Sequence, residues 1–112
     1  MQDLPIGILG YGLYLPEGRV DAGDVAAATQ GRFTEQAVRE KLGIHQKTVP
    51  EKTDGTQEMG ARAALDALRR TGVRPEEIGL ILCVGEEHKE YPLTTSGIYI
   101  QERIGARNAW AI

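Results

Sequence analysis

Residues 56–84 of the chain read TQEMGARAALDALRRTGVRPEEIGLILCV, and this stretch decides the predicted fold. Small and apolar side chains recur at helical spacing in its first part, which predicts an amphipathic helix over residues 56–71 that ends at Gly72. These side chains are Met59, Ala63, Ala64, Ala67 and Leu68. Residues 74–77 predict one further turn. Residues 78–84 are almost continuously apolar, which is typical of a central strand covered on both faces.

The C-terminal side of this stretch carries a loop, a helix and the start of a strand. Residues 86–92 predict a charged loop at the carboxyl end of the central strand. Thr94 or Thr95 is expected to cap the next helix, which ends at Gly105 and carries the isoleucines Ile98, Ile100 and Ile104. Residues 109–112 begin a further strand.

The N-terminal side begins with residues 6–15, whose β-branched and aromatic content predicts a strand. Gly7, Gly10 and Gly12 within it favour close backbone packing over a dinucleotide-binding fingerprint, because that fingerprint leads straight into a helix. Here a Pro-Glu-Gly turn follows instead.

Two short helices are predicted between residues 21 and 43. Asp21 is expected to cap the first and Thr34 the second, where Phe33 and Val38 occupy the positions of a hydrophobic staple. Residues 44–49 predict a short extended piece. The resulting order, β, α, α, short β, α, β, α, β, predicts an α/β domain whose mostly parallel mixed sheet is flanked by helices. Ligands collect at the carboxyl ends of the strands in such sheets, which is where the loop of residues 86–92 falls.

Composition excludes several classes of function. The 112 residues carry a net charge of −3 and 41% hydrophobic residues, so an ordinary globular domain is expected, with no general attraction to nucleic acid or to an anionic membrane. The sequence predicts no spanning segment and no secretory signal, so a cytoplasmic location is expected. Cys83, the only cysteine, is expected to be a buried thiol. His45 and His88 have no companion at metal-ligand spacing, so no metal site is predicted.

The loop of residues 85–91, GEEHKEY, concentrates carboxylates, an imidazole and a phenol at the end of a strand. Such groups can serve as a general acid or base. A solvated charged loop explains the same composition, and the residues alone leave both interpretations open.

Several segments taken in order carry a resemblance to a known family. They are ILGYGLYLP (8–16), KLGI (41–44), KTVP (47–50), ALRRTG (67–72), EIGLILCV (77–84), YPLTT (91–95), QERIG (101–105) and NAWAI (108–112). This succession resembles the N-terminus of the ketoacyl-ACP synthase III and HMG-CoA synthase branch of the thiolase superfamily.

The resemblance implies a thiolase-like fold, of which residues 1–112 are the N-terminal part of the first half. It implies that the catalytic elbow follows residue 112. There, a cysteine at a helix N-terminus accepts an acyl group as a thioester. The chain alone is then expected to be inactive, with acyl-CoA or acyl carrier protein (ACP) thioesters as substrates and no further cofactor. The resemblance also implies a homodimer and a role in fatty acid or other lipid metabolism.

The resemblance also implies site residues within this chain. In synthase III enzymes a tryptophan and an arginine near the "GI" turn grip the CoA adenine, and the matching positions here hold Ala37 and Lys41. Lys41 is therefore expected to meet a phosphate without an aromatic partner. Glu87, or Glu86 in a register shifted by one residue, falls near the catalytic glutamate of HMG-CoA synthases and would act as general base. Tyr91 matches an aromatic residue that borders the acyl pocket of ketoacyl synthases.

Three functions follow as expectations. The first is a synthase III-type acyltransferase, which condenses an acyl-CoA primer with a malonyl thioester. The second is an HMG-CoA synthase-type condensation of an acetyl-enzyme with a 3-ketoacyl-CoA. The third is a non-catalytic subunit that supplies sheet and dimer surface to a second chain carrying the cysteine.

Overall fold

The computed structural model of the chain describes residues 4–85 and 93–112. The strands are β1 (Gly18–Asp21), β2 (Gln46–Val49), β3 (Leu80–Ile81) and β4 (Trp110–Ala111). The helices are α1 (Ala22–Ala28), α2 (Glu35–Glu40), α3 (Thr56–Thr71) and α4 (Ser96–Ile104), with a 3-10 turn at Pro75–Glu77. The chain divides into two units, one of residues 15–54 and one of residues 1–14 and 55–112.

In the unit of residues 15–54, β1 and β2 form an antiparallel pair, with Gly18 opposite Val49 and Asp21 opposite Gln46. Asp21 then caps α1 as predicted. Its carboxylate accepts the N–H of Asp24 at 2.9 Å, while the Asp24 carboxylate accepts the N–H of Asp21 at 3.1 Å. This reciprocal capping box turns the chain directly from strand into helix.

Helix α2 begins at the second predicted cap, where the Thr34 hydroxyl accepts the N–H of Ala37 at 3.1 Å. Its side chain Val38 is fully buried and, with Ala22 of α1, forms the buried apolar part of this unit. The predicted extended piece of residues 44–49 is confirmed as β2.

The other unit is organised around α3 and α4. Helix α3 has the predicted bounds and ends at Gly72, whose φ of 71° is a left-handed conformation that glycine adopts without strain. Helix α4 begins after Thr95, although the Thr95 side chain makes no capping hydrogen bond. No helix in the described part of the chain is long and apolar enough to cross a membrane.

The core of this unit lies between α3, α4 and the following strand. Its buried side chains are Ala61, Ile100, Ile104 and Ala106, and partly buried neighbours such as Leu68, Ile78 and Ile81 pack against them. Burying a large aliphatic side chain contributes about 1.5–3 kcal/mol relative to leaving it in water, so the two isoleucines of α4 are major contributors.

The predicted central strand forms, but it is shorter than predicted and is covered on one face only. β3 and β4 are parallel, with Leu80 opposite Trp110 and Ile81 opposite Ala111. Ile81 packs toward the helices, whereas Leu82 is 61% exposed and Trp110 80% exposed. Within the described residues only the helix side of the pair is covered, so the expected cover on the second face is not found there.

Residues 6–15, predicted to form a strand, are not one. Ile6 is 99% exposed and Ile8 93% exposed, and no described strand pairs with this segment. The prediction of close packing is confirmed for Gly10 and Gly12 but not for Gly7, where an added Cβ would meet nothing within 4 Å. A Cβ at Gly12 would collide with the backbone of Ala63 and Ala67, and a Cβ at Gly10 would collide with the Thr71 side chain. The segment therefore lies against α3, held there by close backbone approach instead of sheet pairing.

Candidate functional site

The carboxyl end of β3 and the first turns of α3 and α4 surround a cavity of about 160 Å³. Its walls include Gln57 and Gly60 of α3, residues 83–85 after β3, and Ser96 and Ile100 of α4. This is the edge of the parallel pair where ligands were expected, because helix N-termini and strand C-termini meet there in α/β folds.

Cys83 lies on this edge. Its backbone N–H donates to the Ile112 carbonyl at 2.9 Å, which extends the β3–β4 pairing beyond the two strands. Its thiol is exposed and lines the cavity, so the prediction of a buried thiol is wrong. The continuously apolar run around Cys83 indicated burial, but this residue lies beyond β3, at the open cavity edge.

Gln57 is the most deeply placed polar side chain of the cavity, with 2% of its surface exposed. Its side-chain amide donates to the Thr94 hydroxyl at 3.2 Å and to the Ser96 hydroxyl at 3.3 Å. These hydrogen bonds join the first turn of α3 to the start of α4. The sequence pattern gave no sign of them, because the partners lie 37 and 39 residues away.

A second polar cluster joins the same helices further along. The Glu58 carboxylate accepts hydrogen bonds from the Tyr99 hydroxyl at 3.0 Å, from Arg103 at 3.0 and 3.1 Å, and from Arg62 at 3.1 Å. Burial of this carboxyl acts to raise its pKa, but the hydrogen bonds from Arg103, Tyr99 and Arg62 outweigh burial, so the pKa of Glu58 is lowered. The ionised form of Glu58 is therefore the one that holds the cluster together.

Arg62 extends this cluster to the N-terminal segment. It donates to the Tyr14 hydroxyl at 2.7 Å, and its guanidinium lies 4.9 Å from the centre of the Tyr14 ring. A further group on α3, the Asp66 carboxylate, holds the same segment, because it accepts the N–H of Leu13 at 3.2 Å. Helix α3 thus supports both α4 and the N-terminal segment.

The sequence-predicted residues fall in different places. Glu87, its neighbour Glu86 and Tyr91 lie outside the described residues, and so does His88. Their proposed roles stay predictions.

Lys41 is described and belongs to the unit of residues 15–54. It follows α2, its backbone N–H donates to the Ala37 carbonyl at 2.9 Å, and its side chain is exposed. The matching positions, Ala37 and Lys41, therefore lie one helical turn apart on α2 and its C-cap. A role in binding a phosphate stays a prediction.

Within residues 4–85 and 93–112, no three histidine, cysteine, aspartate or glutamate side chains gather as a possible metal site. His45 is exposed, and its Nδ1 lies 3.5 Å from Nη1 of Arg39.

The sequence of the chain is similar to those of several known proteins. No family model matches the chain. The hydroxymethylglutaryl-CoA synthase of Archaeoglobus fulgidus is 33% identical over 105 residues, which cover 92% of this chain and 29% of that protein. The hydroxymethylglutaryl-CoA synthase of Methanococcus maripaludis is 38% identical over 93 residues, which cover 83% of this chain and 26% of that protein.

Solved structures agree. A priming β-ketosynthase from a polyketide biosynthetic pathway superposes with a TM-score of 0.75 at 27% identity, over 97% of this chain and 34% of that one. The chain has the thiolase-like fold of these condensing enzymes. The 3-oxoacyl-(acyl carrier protein) synthase III of Pseudomonas aeruginosa, at 22% identity and a TM-score of 0.68 over 93% of this chain and 30% of that one, shows the same fold.

The predicted α/β, thiolase-like fold is therefore confirmed. The chain matches an N-terminal segment of the synthase III and HMG-CoA synthase type and spans between about a quarter and a third of the length of these relatives. In this thiolase-fold segment, the described cavity edge supplies a free thiol, two hydroxyls and a buried amide. It holds no pairing of a described nucleophile with a described base.

Proposed function

We propose that this chain is the N-terminal part of an acyltransferase that forms a carbon–carbon bond between two acyl thioesters. The observation that carries the proposal is the match of more than nine-tenths of the chain both to a hydroxymethylglutaryl-CoA synthase and to a priming β-ketosynthase. Both names describe condensing enzymes, so the shared chemistry is the condensation itself.

In the proposed reaction a cysteine outside residues 1–112 takes the first acyl group as a thioester. Cys83 does not fit this role, because it follows β3 and does not sit at a helix N-terminus, where the helix dipole favours a thiolate. The 112-residue chain by itself is therefore proposed to be inactive. Its contribution is the parallel pair β3–β4 and the helices that fix the carboxyl ends of these strands.

Two forms of the condensation are supported by different observations. The structural likeness to a priming β-ketosynthase favours the synthase III-type reaction, in which an acyl-enzyme reacts with a malonyl thioester and carbon dioxide leaves as the new bond forms. The identity to hydroxymethylglutaryl-CoA synthases favours the second form. There the methyl carbon of the acetyl-enzyme adds to the ketone of a 3-ketoacyl-CoA, and water then releases the enzyme thiol.

The remaining expectations belong to this proposal. The proposed substrates are acyl-CoA or acyl carrier protein thioesters, and no further cofactor takes part. The enzyme is proposed to be a cytoplasmic homodimer. Its proposed role is in lipid or fatty acid metabolism. The alternative is a non-catalytic subunit that completes a second chain, because Cys83 is the only thiol in this chain.

The test is acylation of the enzyme that contains this chain together with any polypeptide that completes it. Radiolabelled acetyl-CoA is expected to leave a label that neutral hydroxylamine releases, as a thioester requires. Adding a malonyl thioester should then yield a 3-oxoacyl product and carbon dioxide in the synthase III form. Adding acetoacetyl-CoA should yield a 3-hydroxy-3-methylglutaryl thioester in the other form. Failure of every acyl-CoA to label the enzyme would contradict the condensing mechanism, and labelling confined to a partner chain would favour the non-catalytic subunit.

A further inference from the structure

Gln57 is an unusual residue to find buried. It occupies the first turn of α3 with 2% of its surface exposed, although glutamine is mostly found at protein surfaces. Removing an amide from water costs free energy unless the protein replaces its hydrogen bonds. The amide nitrogen carries two hydrogens, and the hydroxyls of Thr94 and Ser96, at 3.2 and 3.3 Å, are placed to accept them. We call this pair of hydrogen bonds the Gln57 bridge.

The Gln57 bridge holds the start of α4, which is not held by a side-chain hydrogen bond from its own N-cap residue. Thr95 is the N-cap residue of α4, yet its side chain makes no capping hydrogen bond. A helix start normally relies on such a bond to orient its first turn. The bridge bonds residues on either side of Thr95, and Ser96 itself is buried. The position of the first turn of α4 is therefore set from α3.

That first turn lies directly against the carboxyl end of β4. A Cβ built on Gly97 would lie 2.6 Å from the carbonyl oxygen of Ile112, so only glycine allows the approach. Ile112 is in turn fixed to the neighbouring strand, since its N–H donates to the Ile81 carbonyl at 3.1 Å and its carbonyl accepts the Cys83 N–H at 2.9 Å. The Gln57 bridge, Gly97 and Ile112 thus form a continuous line of contacts.

We infer that Gln57 is a positioning residue of the condensing reaction: through the first turn of α4 it sets the place of the carboxyl end of β4. This inference rests on the proposed function. The carboxyl edge of a parallel sheet is where α/β enzymes bring their reacting groups together. A displacement of about 1 Å at such an edge costs roughly 100-fold in rate, even when the altered residue never touches the substrate.

The test compares Gln57→Leu, which keeps the volume and removes the donor, with Gln36→Leu as a matched control. Gln36 is an exposed glutamine whose amide bonds only the Glu40 carboxylate of the same helix among the described contacts. In the intact enzyme, Gln57→Leu is expected to lower kcat by roughly 10- to 100-fold while KM stays nearly constant. Gln36→Leu is expected to change neither constant. A kcat per folded molecule equal to that of the wild type in Gln57→Leu would overturn the inference, because a purely structural glutamine changes only the amount of folded enzyme.

Two milder variants keep the test decisive if Gln57→Leu does not fold. Thr94→Val and Ser96→Ala each remove one acceptor of the bridge and leave Gln57 in place. Each is expected to lower kcat by less than Gln57→Leu does, and the effects are expected to be non-additive when combined, as for groups that act together. Wild-type kcat in both variants and in their combination would also overturn the inference.

A measurement that needs no activity separates this inference from the proposed function. Amide hydrogen exchange at Ile98, whose N–H donates to the Thr95 carbonyl at 3.0 Å, and at Ile112 is expected to quicken in Gln57→Leu, while exchange in the middle of α3 stays unchanged. If the wild-type enzyme accepts no acyl thioester, the proposed function fails. Unchanged exchange at Ile98 and Ile112 shows instead that the bridge does not hold α4.

Discussion

Glu86 and Glu87 are adjacent carboxylates, and the resemblance to HMG-CoA synthases implies that Glu87, or Glu86 in a register shifted by one residue, is the general base. Gln has nearly the shape of Glu but cannot take up a proton at neutral pH. In the HMG-CoA synthase form of the reaction, Glu87→Gln is expected to abolish condensation while leaving acylation of the enzyme intact. Glu86→Gln is the matched control one residue away.

The measurement is the ratio of condensation to acylation in the two variants. Loss of condensation in Glu86→Gln alone would show that Glu86, and not Glu87, is the general base. Substantial condensation in both variants contradicts a catalytic carboxylate here and favours the synthase III form, in which these side chains only perturb the rate.

Asp66 connects α3 to the N-terminal segment, and its pKa is lowered further than that of any other described carboxylate. Hydrogen bonds from Arg69 and from the backbone N–H of Leu13 lower the pKa of Asp66 to about 2. A lowered pKa in the folded state means that Asp66 stabilises the fold fully above its ordinary value of 3.8, and that this contribution is lost as the pH falls toward 2.

Asp66→Asn is therefore expected to be less stable than the wild type near neutral pH. The difference between their urea midpoints should shrink steadily as the pH falls from about 4 to about 2. Glu76→Gln, on the exposed 3-10 turn, serves as the matched control. A difference that does not depend on pH would show that Asp66 acts through packing and not through its charge.

At the scale of elements, the close approach of the N-terminal segment to α3 makes a sharp prediction about two glycines. Gly12→Ala would press a methyl group into the backbone of Ala63 and Ala67, whereas Gly7→Ala meets nothing within 4 Å. Overpacking of this kind costs about 1–3 kcal/mol, so Gly12→Ala should lower the free energy of unfolding by that amount. Gly7→Ala should leave it nearly unchanged. Equal urea midpoints for both variants would mean that residues 10–14 do not rest on α3 in solution.

The α3–α4 pair depends on Glu58, whose carboxylate accepts hydrogen bonds from Tyr99, Arg62 and Arg103. A hydrogen bond to a charged group contributes at most about 1.5–3 kcal/mol to stability. Removing the charge of Glu58 weakens the hydrogen bonds from all three partners at once. Glu58→Gln is expected to destabilise the fold by about 1–3 kcal/mol. Glu102→Gln, exposed on α4, is expected to have little effect. Chemical denaturation measures both, and equal stability of the two variants would show that the cluster adds nothing to helix packing.

The elements that sequence predicted correctly are those with local signals. Asp21 and Thr34 caps, the alanine-rich stripe of α3 and its glycine stop all act within a few residues, so the pattern alone indicates them. Strands depend on partners that local sequence does not name. Residues 6–15 therefore look like a strand without being paired, while β1 is not predicted because Pro16 and Gly18 indicate a turn.

In the candidate site too, some features are predictable from local sequence and others depend on distant residues. The position of the cavity edge followed from the predicted order of elements, because the carboxyl ends of parallel strands share one edge. The Gln57 bridge and the Glu58 cluster did not follow, since each joins residues of α3 to residues more than 35 positions later. Such pairs become visible only when the two helices are packed.

At the scale of the whole molecule, the β3–β4 pair has an outer face, the one turned away from α3 and α4. In a domain with a closed core this face would be buried. Leu80, Leu82 and Trp110 all point to this face and are exposed. Contiguous exposed apolar surface of this kind is rare on soluble monomers. Trp110 is the only tryptophan of the sequence, so its fluorescence reports on this face alone.

With 80% of its surface exposed, Trp110 is expected to emit close to the wavelength of tryptophan in water and to be quenched by acrylamide almost as freely. Unfolding the 112-residue chain in urea should then shift the emission little, because the indole is already hydrated in the folded state. Emission that is instead blue-shifted, shielded from acrylamide and released by urea would show that the face is covered in solution. The dependence of that shielding on protein concentration would then separate contact between copies of the chain from cover within one copy, since only the former weakens on dilution.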